Sequence, residues 1–398
     1  MTRVTHSSTD SRPDDRPKTD THIAYVSEPP TITAESIEGD ANYIPPTFPI
    51  GPFKKHAANP ILKPNPDNAW EAAHLFNAAA IVLDAKVFLF YRAQNHEGLS
   101  SIGLAWSDDG ISFTRLDRPI LTATEPWEEG GGCEDPRVMR YEGTVYMTYS
   151  SYGMGRVRLC MCTSTNLVDW KKYEPMFPTW AEVEIGIDGR LGIRNDWTKA
   201  GAIFPEKDRD GKFNMLWGDD DLIKWETKSY GDHFAHGIHS WENRLLEAGL
   251  SPIKTKDGKW LFIYNAATTG GGKYKNNQYS VGQMLVDYDN LAGGPLARLE
   301  KPLLEVSEGN EQEGQVGNVV FCEGLVQFKA FEESEPSKYT RRFACHHNKS
   351  ELWACVSSAI ILIGGEDDLP NPSIGSAQRR IIPELRQDAR IRAVPELV

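Results

Sequence analysis

Ser107-Asp-Asp-Gly-Ile-Ser-Phe113 is the first of three similar segments, followed by Ser164-Thr-Asn-Leu-Val-Asp-Trp170 and Asp219-Asp-Asp-Leu-Ile-Lys-Trp225. In each segment a polar turn sequence leads into an aromatic residue, which can plug a pair of strands. The starts of the segments are separated by roughly the length of one four-stranded β-propeller blade. The repeat therefore favours a β-propeller over a two-sheet β-sandwich, in which turns would not recur so regularly.

Short apolar runs bounded by Gly, Asp or Asn surround these segments and are typical of β-strands. Strands are predicted over residues 78–83, 87–92, 101–106, 145–150, 157–162, 213–217, 260–265, 280–287, 319–321 and 324–328. The strand-rich stretch has room for about five to six blades of the repeat length. We therefore expect an all-β propeller domain over residues 48–365, after a disordered arm at 1–30 and before a helical or irregular tail at 370–398.

The charge balance limits the class of partner. The chain of 398 residues has 43 Lys and Arg against 56 Asp and Glu, a formal net charge of −13. Nucleic acids and anionic membranes require a basic face, so neither is an expected partner. A neutral ligand fits better, and the 11 Trp and 14 Tyr offer aromatic faces for sugar rings, although most strand aromatics belong to the core.

The six cysteines include no Cys-x-x-Cys pair, and Cys160 and Cys162 lie on one side of a predicted strand, where a mutual disulfide is awkward. Reduced, buried thiols are the expectation. The N-terminus shows no secretory pattern, and the longest apolar runs are too short to span a bilayer. These features predict a cytoplasmic protein. Whether it forms homo-oligomers is left open.

A charged, glycine-rich stretch, Trp127-Glu-Glu-Gly-Gly-Gly-Cys-Glu-Asp-Pro-Arg137, precedes the predicted strand at 145–150. We interpret it as a bend that holds carboxylates and an arginine. A propeller gathers such groups from distant blades around one axial funnel. The candidates are Asp135, Arg137, Arg92, Lys199, Glu247 and Glu323. Glu323 stands out because it interrupts an apolar run, where a charge is costly without a partner or a site.

Other motifs do not predict cofactors. His233, His236 and His239 recur every three residues, but no His-Glu-x-x-His motif accompanies them, and no metal site is predicted. Gly270-Gly-Gly-Lys273 lacks the spacing of a phosphate-binding loop. The only small co-reactant that we consider is inorganic phosphate.

A series of motifs runs along residues 48–358: Asn59-Pro-Ile-Leu62, Phe76-Asn-Ala-Ala79, Tyr91-Arg-Ala93, Gly131-Gly-Cys-Glu-Asp-Pro-Arg137, Trp197-Thr-Lys-Ala-Gly-Ala-Ile203, Trp217-Gly-Asp219 and Tyr279-Ser-Val-Gly-Gln283. In these motifs and their order the chain resembles glycoside hydrolase family 130, the β-mannoside phosphorylases and β-1,2-mannosidases. The resemblance implies a five-bladed β-propeller and inverting cleavage of terminal β-mannosides, with Asp135 as the general acid. It further implies substrate binding by Asn77, Arg92, Glu134, Arg137, Arg158, Lys199 and Asp219.

The attacking group is the open choice. In a hydrolase, Glu247 or Glu323 would activate water, at about 6.5–9.5 Å from the acid. In a phosphorylase, Arg92, Arg158 and Lys199 would hold phosphate. The hydrolase is favoured, because Glu247 and Glu323 stand in motifs that resemble the mannosidase branch and Asn265 stands where phosphorylases usually have histidine.

Two departures from the family pattern leave a third possibility, a propeller that binds sugar without cleaving it. A blade strand is expected to be missing after Asp219. In the last blade, Lys349 stands where the family pattern has an acid that is expected to bind the mannose ring.

Overall fold

The computed structural model describes residues 24–56, 58–153, 155–177, 181–185, 191–195, 197–218, 222–224, 233–307, 309–312, 316–328, 351–355 and 362–364. Within these ranges the chain is all-β, as predicted, and its one α-helix, α1, is the four-residue turn Gly309–Gln312. Short 3-10 turns occupy Ala69–Glu71, Pro126–Glu128 and Tyr288–Gly293. No helix among the described residues is long and apolar enough to cross a membrane.

The strands follow one another as short segments joined by turns. The first half contains β1 Ala24–Val26, β2 Lys54–Lys55, β3 His74–Leu83, β4 Lys86–Gln94, β5 Ser100–Ser107, β6 Thr114–Leu116, β7 Gly130–Tyr141, β8 Thr144–Gly153, β9 Arg156–Ser164, β10 Lys171–Lys172, β11 Ala181–Ile185 and β12 Leu191–Asn195. The second half contains β13 Gly201–Lys207, β14 Phe213–Trp217, β15 Leu222–Lys224, β16 His233–Ala235, β17 Leu245–Ala248, β18 Ile253–Lys254, β19 Trp260–Ala267, β20 Tyr279–Val286, β21 Ala297–Arg298, β22 Leu325–Phe328, β23 Glu351–Cys355 and β24 Leu362–Gly364.

Among the described residues, β11 pairs with β12 in a separate hairpin, and the other strands form five antiparallel units. The first is β3 to β6, the second β7 to β10, the third β13 to β16, the fourth β17 to β21, and the fifth β22 to β24 completed by β2 from the beginning of the chain. β1 adds to the first unit parallel to β6. The first two units touch where Ser100 pairs with Gly132, and only glycine fits there, because a Cβ on Gly132 would lie 2.0 Å from the Ser100 carbonyl oxygen.

Five hydrophobic cores lie between consecutive units. Their central side chains are Phe88 with Met147 between units one and two, Met161 with Ile203 between two and three, Phe204 with Phe262 between three and four, Ile263 with Val320 between four and five, and Phe328 with Leu89 between five and one. The last core packs unit five against unit one, so each of the five units shares a core with two others. Central strands such as β5 are buried along their whole length because each faces a neighbouring unit on both sides.

The first two repeated segments form the predicted turn. Asp109 accepts hydrogen bonds from the backbone N–H groups of Ile111 and Ser112, both at 2.7 Å. Asn166 does the same for Val168 and Asp169, at 3.0 and 2.9 Å. Each turn lies between the third and fourth strands of its unit.

The third repeat departs from the predicted turn at residues 222–224, which form strand β15; its residues 219–221 and 225 lie outside the described ranges. β16 completes a four-stranded unit, so the expected loss of a blade strand is wrong. The missing strand comes from residues 233–235, farther along the chain.

Three other expectations need correction. Residues 130–141 are not a bend but the twelve-residue strand β7, since the glycines permit bulges within a paired strand. Residues 319–321 lie outside any strand. The arm predicted to be disordered over 1–30 contains β1, which is held because the Tyr25 hydroxyl bonds to buried Glu71.

The cysteines follow the expectation only in part. Cys133, Cys160 and Cys162 are free and buried, whereas Cys322 is disulfide-bonded. The predicted tail at 370–398, Asp219 and Lys349 lie outside the described residues.

Candidate active site

We call the first strands of the five units, β3, β7, β13, β17 and β22, together with the residues just before them, the innermost segments. A cavity of about 380 Å³ is lined by residues near the leading ends of these segments. We call it the front cavity. Four basic residues line it: Lys63, His74, Arg92 and Lys199. Its acidic lining is Asp135, Glu247 and Glu311, and Phe76, Tyr279 and Phe321 supply aromatic faces. The cavity therefore combines charge and ring surface in a space that suits a small saccharide.

Asp135 lies at the floor of this cavity, within β7. Its φ of 52° and the neighbouring register break aim the side chain away from the regular strand direction. Asn77 has a φ of 51° at a matching register break in β3, and its Nδ2 donates to Asp135 Oδ1 at 2.7 Å. The two bulges bring the aspartate and the asparagine together.

Arg92 joins the two adjacent acids of β7. Its Nη1 lies 3.1 Å from Asp135 Oδ1, and its Nη2 pairs with Glu134. Ser100 Oγ donates to Glu134 at 3.0 Å, and the Arg92 guanidinium lies 4.5 Å from the centre of the Phe76 ring. This packing holds the guanidinium in place at the cavity wall.

The two acids respond differently to this environment. Burial raises the pKa of Asp135, but the positive charges of Arg92, Lys199 and Arg137 and the Asn77 hydrogen bond outweigh it, so the pKa lies below the ordinary value. Burial, with the nearby Asp135 carboxylate, raises the pKa of Glu134 despite Arg92. The Asp135 carboxyl is therefore more acidic than the Glu134 carboxyl.

Arg137 lies beneath Asp135 and is almost completely buried. It donates to the Asp135 carbonyl oxygen at 3.0 Å and to the carbonyl oxygens of Ala248 and Gly249 at 2.8 and 2.7 Å. Its Nη2 lies 3.3 Å from Glu247 Oε1 and 2.9 Å from Glu323 Oε1. One guanidinium therefore connects β7 with the fourth and fifth units.

Asp135, Glu247 and Glu323 form a compact acid cluster, in which one oxygen of each lies within 4.8 Å of an oxygen of the others. An inverting hydrolase holds its two carboxyl groups about 6.5–9.5 Å apart, with a water molecule between them. Lys199 Nζ lies 3.4 Å from Glu247 Oε1. Arg137 and Lys199 supply positive charge to the cluster, and this disfavours an added metal cation.

Glu323 differs from its neighbours in hydrogen bonding. Its contact with Arg137 is an ion pair by distance, but neither carboxyl oxygen has a hydrogen bond of acceptable angle among the described residues. Burial raises its pKa well above the ordinary value, the Asp135 and Glu247 charges add to this, and Arg137 only partly opposes it. Glu323 therefore favours its protonated form.

The structure thus brings together Asn77, Arg92, Glu134, Asp135, Arg137, Lys199, Glu247 and Glu323 of the predicted site. Arg158 is not among the described residues that line the cavity; it lies on β9, opposite Ser151 of β8 in the strand register. Asn265 is fully buried and bonds the backbone of Cys322 at 2.7 Å, so its role is to hold the segment before Glu323.

Sequence reasoning missed several lining residues. His74 lies two positions before Phe76 on β3, on the same strand face, and this alternation was a usable signal. Lys63 and Glu311 come from irregular or short segments, whose position no local pattern predicts.

Comparison with known proteins identifies the family of the chain. The family model of glycoside hydrolase family 130, described as beta-1,4-mannooligosaccharide phosphorylase, matches residues 52–331. A 1,2-beta-oligomannan phosphorylase from Thermoanaerobacter sp. (strain X514) is 34% identical over 294 residues, covering 68% of this chain and 88% of the relative. A beta-1,2-mannobiose phosphorylase from the same organism is 33% identical over 292 residues, covering 67% and 87%.

A solved structure gives the same result. Its description reads that the GH130 family of mannoside phosphorylases contains glycoside hydrolases that target beta-1,2 mannosidic linkages in Candida mannan. The TM-score is 0.64 at 26% identity, over 80% of this chain and 95% of that one. The matched share of the chain and the order of its motifs leave one conclusion: this chain belongs to glycoside hydrolase family 130, a family of enzymes that act on mannosides.

Proposed function

We propose that the protein is a phosphorylase of β-1,2-linked manno-oligosaccharides, built on a five-bladed β-propeller. Five antiparallel units, five intervening cores and the pairing of β2 with β24 support the propeller. In this architecture the innermost segments of all units meet on one axis, and the front cavity lies at their leading ends.

The observation that carries the choice of phosphorylase is the basic lining of the front cavity. Lys63, His74, Arg92 and Lys199 surround the same space as Asp135. Phosphate binding needs two or three convergent donors of this kind. Hydrolysis instead needs a second carboxylate that is free to activate water, and Glu247, the other member of the acid cluster that lines this cavity, is engaged by Arg137 and Lys199. The curated relatives, both phosphorylases, support the same choice.

In this proposal bound phosphate offsets the positive charges of Arg92 and Lys199 that lower the pKa of Asp135. Asp135 can then take up a proton and pass it to the oxygen of the leaving sugar, directly or through a sugar hydroxyl. Phosphate attacks the opposite face of the ring and yields mannose 1-phosphate with inversion. Arg92 and Lys199 orient the phosphate, and Asn77 and Glu134 hold Asp135 and Arg92 in position.

Hydrolysis remains the second candidate on one observation. Glu247 lines the front cavity together with Asp135, so a bound substrate that separates the two carboxyls would leave Glu247 able to activate water.

The deciding experiment incubates the protein with β-1,2-mannobiose and, separately, β-1,4-mannobiose, with and without phosphate. We expect mannose 1-phosphate from the β-1,2 substrate only when phosphate is present. Release of mannose at the same rate without phosphate would establish the hydrolase instead. Binding without any turnover would leave a sugar-binding protein.

The matched variant is Asp135→Asn, which keeps the acceptor for Asn77 but cannot deliver a proton. We expect kcat to fall by about 10²–10⁴-fold with binding of the disaccharide retained. Unchanged turnover would remove Asp135 from the reaction.

A further inference from the structure

A second cavity, of about 420 Å³, lies at the opposite end of the same innermost segments. We call it the rear cavity. On β3 the residues up to Asn77 line the front cavity and Val82 lines the rear one. On β7 Asp135 lines the front cavity and Arg140 the rear one. The acid cluster therefore separates two spaces, each of which opens at its own end of the strands.

The three acids divide between these spaces. Asp135 and Glu247 line the front cavity, whereas Glu323 lines the rear cavity. Glu323 is 1% exposed, and an oxygen of its carboxyl lies within 4.8 Å of an oxygen of Asp135. That separation allows proton transfer through one bridging water molecule. Glu323 therefore both lines the rear cavity and lies close to the catalytic acid Asp135.

The other charged groups near Glu323 have partners. On its front side are Arg137, Glu247 and Lys199, which pair with one another. At the rear, Arg140 donates to the carbonyl oxygens of Ser36 and Ala34, at 2.7 and 2.8 Å.

The remaining titratable groups of the rear cavity lie toward its mouth. Lys254 pairs with Glu206 there, both about half exposed. Burial raises the pKa of Glu38 and of Tyr43. Among these rear-cavity residues, Glu323 alone belongs to the acid cluster.

We propose that Glu323 relays protons from the rear cavity to Asp135, an inference that rests on the proposed function. When Asp135 gives its proton to the leaving oxygen, the bond from that oxygen to C1 breaks while a phosphate oxygen bonds C1. Glu323 then passes its proton to the Asp135 carboxylate and regains one from water in the rear cavity. Hydrogen phosphate loses its own proton to solvent once it has become the sugar phosphate, so the protons balance.

This route explains why Glu323, a buried acid that favours its protonated form, lies on the rear-cavity side of Asp135 and within 4.8 Å of it. A substrate that fills the front cavity blocks access of solvent to Asp135 from that side. The rear cavity supplies the second access.

The test combines two variants of the route with two matched controls. Glu323→Gln removes the exchangeable proton, and Ser251→Phe adds a ring at a half-buried position that lines the rear cavity. Glu242→Gln removes another fully buried acid that is paired with an arginine, Arg298 at 3.0 Å, and lies outside both cavities. Ala123→Phe adds a ring at a half-buried position outside both cavities.

The measured quantities are kcat, the KM values for β-1,2-mannobiose and phosphate, and the solvent deuterium isotope effect on kcat. For Glu323→Gln and Ser251→Phe we expect kcat to fall by about tenfold or more, with KM changed less than about twofold and a larger isotope effect. The controls should keep the wild-type isotope effect. A wild-type isotope effect in both route variants would overturn the relay and leave Glu323 as a positioning residue for Arg137.

The two proposals fail separately. If the wild-type protein converts neither mannobiose, the proposed function is wrong. If it produces mannose 1-phosphate and the route variants behave like the controls, only the relay is wrong.

Discussion

At the scale of single residues, Arg137 organises the site. Among the residues that the structure describes, it is the guanidinium that contacts both Glu247 and Glu323, and it also donates to the Asp135 backbone. A buried ion pair contributes little net stability, but removal of one partner leaves an uncompensated charge in a low-dielectric interior. Arg137 therefore serves to keep three acids close together rather than to strengthen the fold.

The Glu323 carboxyl should make stability depend on pH. In the unfolded chain its pKa is about 4.3, and burial raises the pKa in the folded protein. The folded state thus binds more protons between these two pKa values. The contribution of Glu323 to stability is present below about pH 4.3 and is lost as pH rises toward the raised pKa.

We therefore expect the free energy of unfolding of the wild-type protein to fall relative to that of Glu323→Gln as pH increases from 4.5 to 8. Denaturant titrations at several pH values measure this difference. A difference that stays constant or grows in favour of the wild type would show that Glu323 ionises normally.

At the scale of elements, the innermost segments share a backbone device. Asn77, Asp135, Ala200 and Asn318 have φ values of 51°, 52°, 57° and 61°, each at or beside a residue that lines the front cavity. Positive φ is costly for residues other than glycine, asparagine and aspartate. At Asn77 and Asp135, which line the cavity themselves, the deviation aims the side chain into the cavity, whereas Ala200 and Asn318 stand next to the lining residues Lys199 and Val319.

Substitution of Asn77 separates backbone strain from side-chain function. Both Asn77→Gly and Asn77→Ala lose the 2.7 Å hydrogen bond to Asp135, so we expect both to lower kcat. The left-handed backbone at this position, with a φ of 51°, is unfavourable for alanine but not for glycine. We therefore expect the free energy of unfolding of Asn77→Ala to be lower than that of Asn77→Gly by about 1–2 kcal/mol. Equal free energies of unfolding would show that the left-handed conformation does not limit this position.

At the scale of the whole molecule, the chain closes on itself through a very short strand. β2 pairs with β24, and Lys55 of β2 also reaches α1, where it pairs with Glu311 and donates to Ser307 Oγ at 2.8 Å. Glu311 is buried and lines the front cavity. Closure of the fold and one wall of the site therefore depend on the same lysine.

Lys55→Met should expose the importance of this contact. The variant removes the ammonium group that pairs with the buried Glu311 carboxylate, and we expect a loss of about 3–5 kcal/mol in the free energy of unfolding. Lys54→Met is the control, because Lys54 lies on the same strand and is exposed. Equal melting temperatures for the two variants would show that the lysine to Glu311 pair does not support the closure.

Much of this protein can be predicted from its sequence, because strand formation depends on local alternation and on turn residues. The strands at 78–83, 87–92 and 213–217 agree with β3, β4 and β14, and the turn built on Asp109 forms as expected. Local patterns failed at β7, where three glycines and a proline imitate a bend. They also failed at the third repeat, where spacing alone suggested a turn.

The sequence by itself thus determined the all-β class, the family and most of the charged residues of the site. Only the tertiary structure decided which of these charged residues pair with one another. Arg137 meets Glu247 and Glu323 because distant units pack together. It also decided that Asp135 faces the front cavity and Glu323 the rear one. Burial and the mutual distance of charges set pKa values, and both quantities exist only once the units have packed.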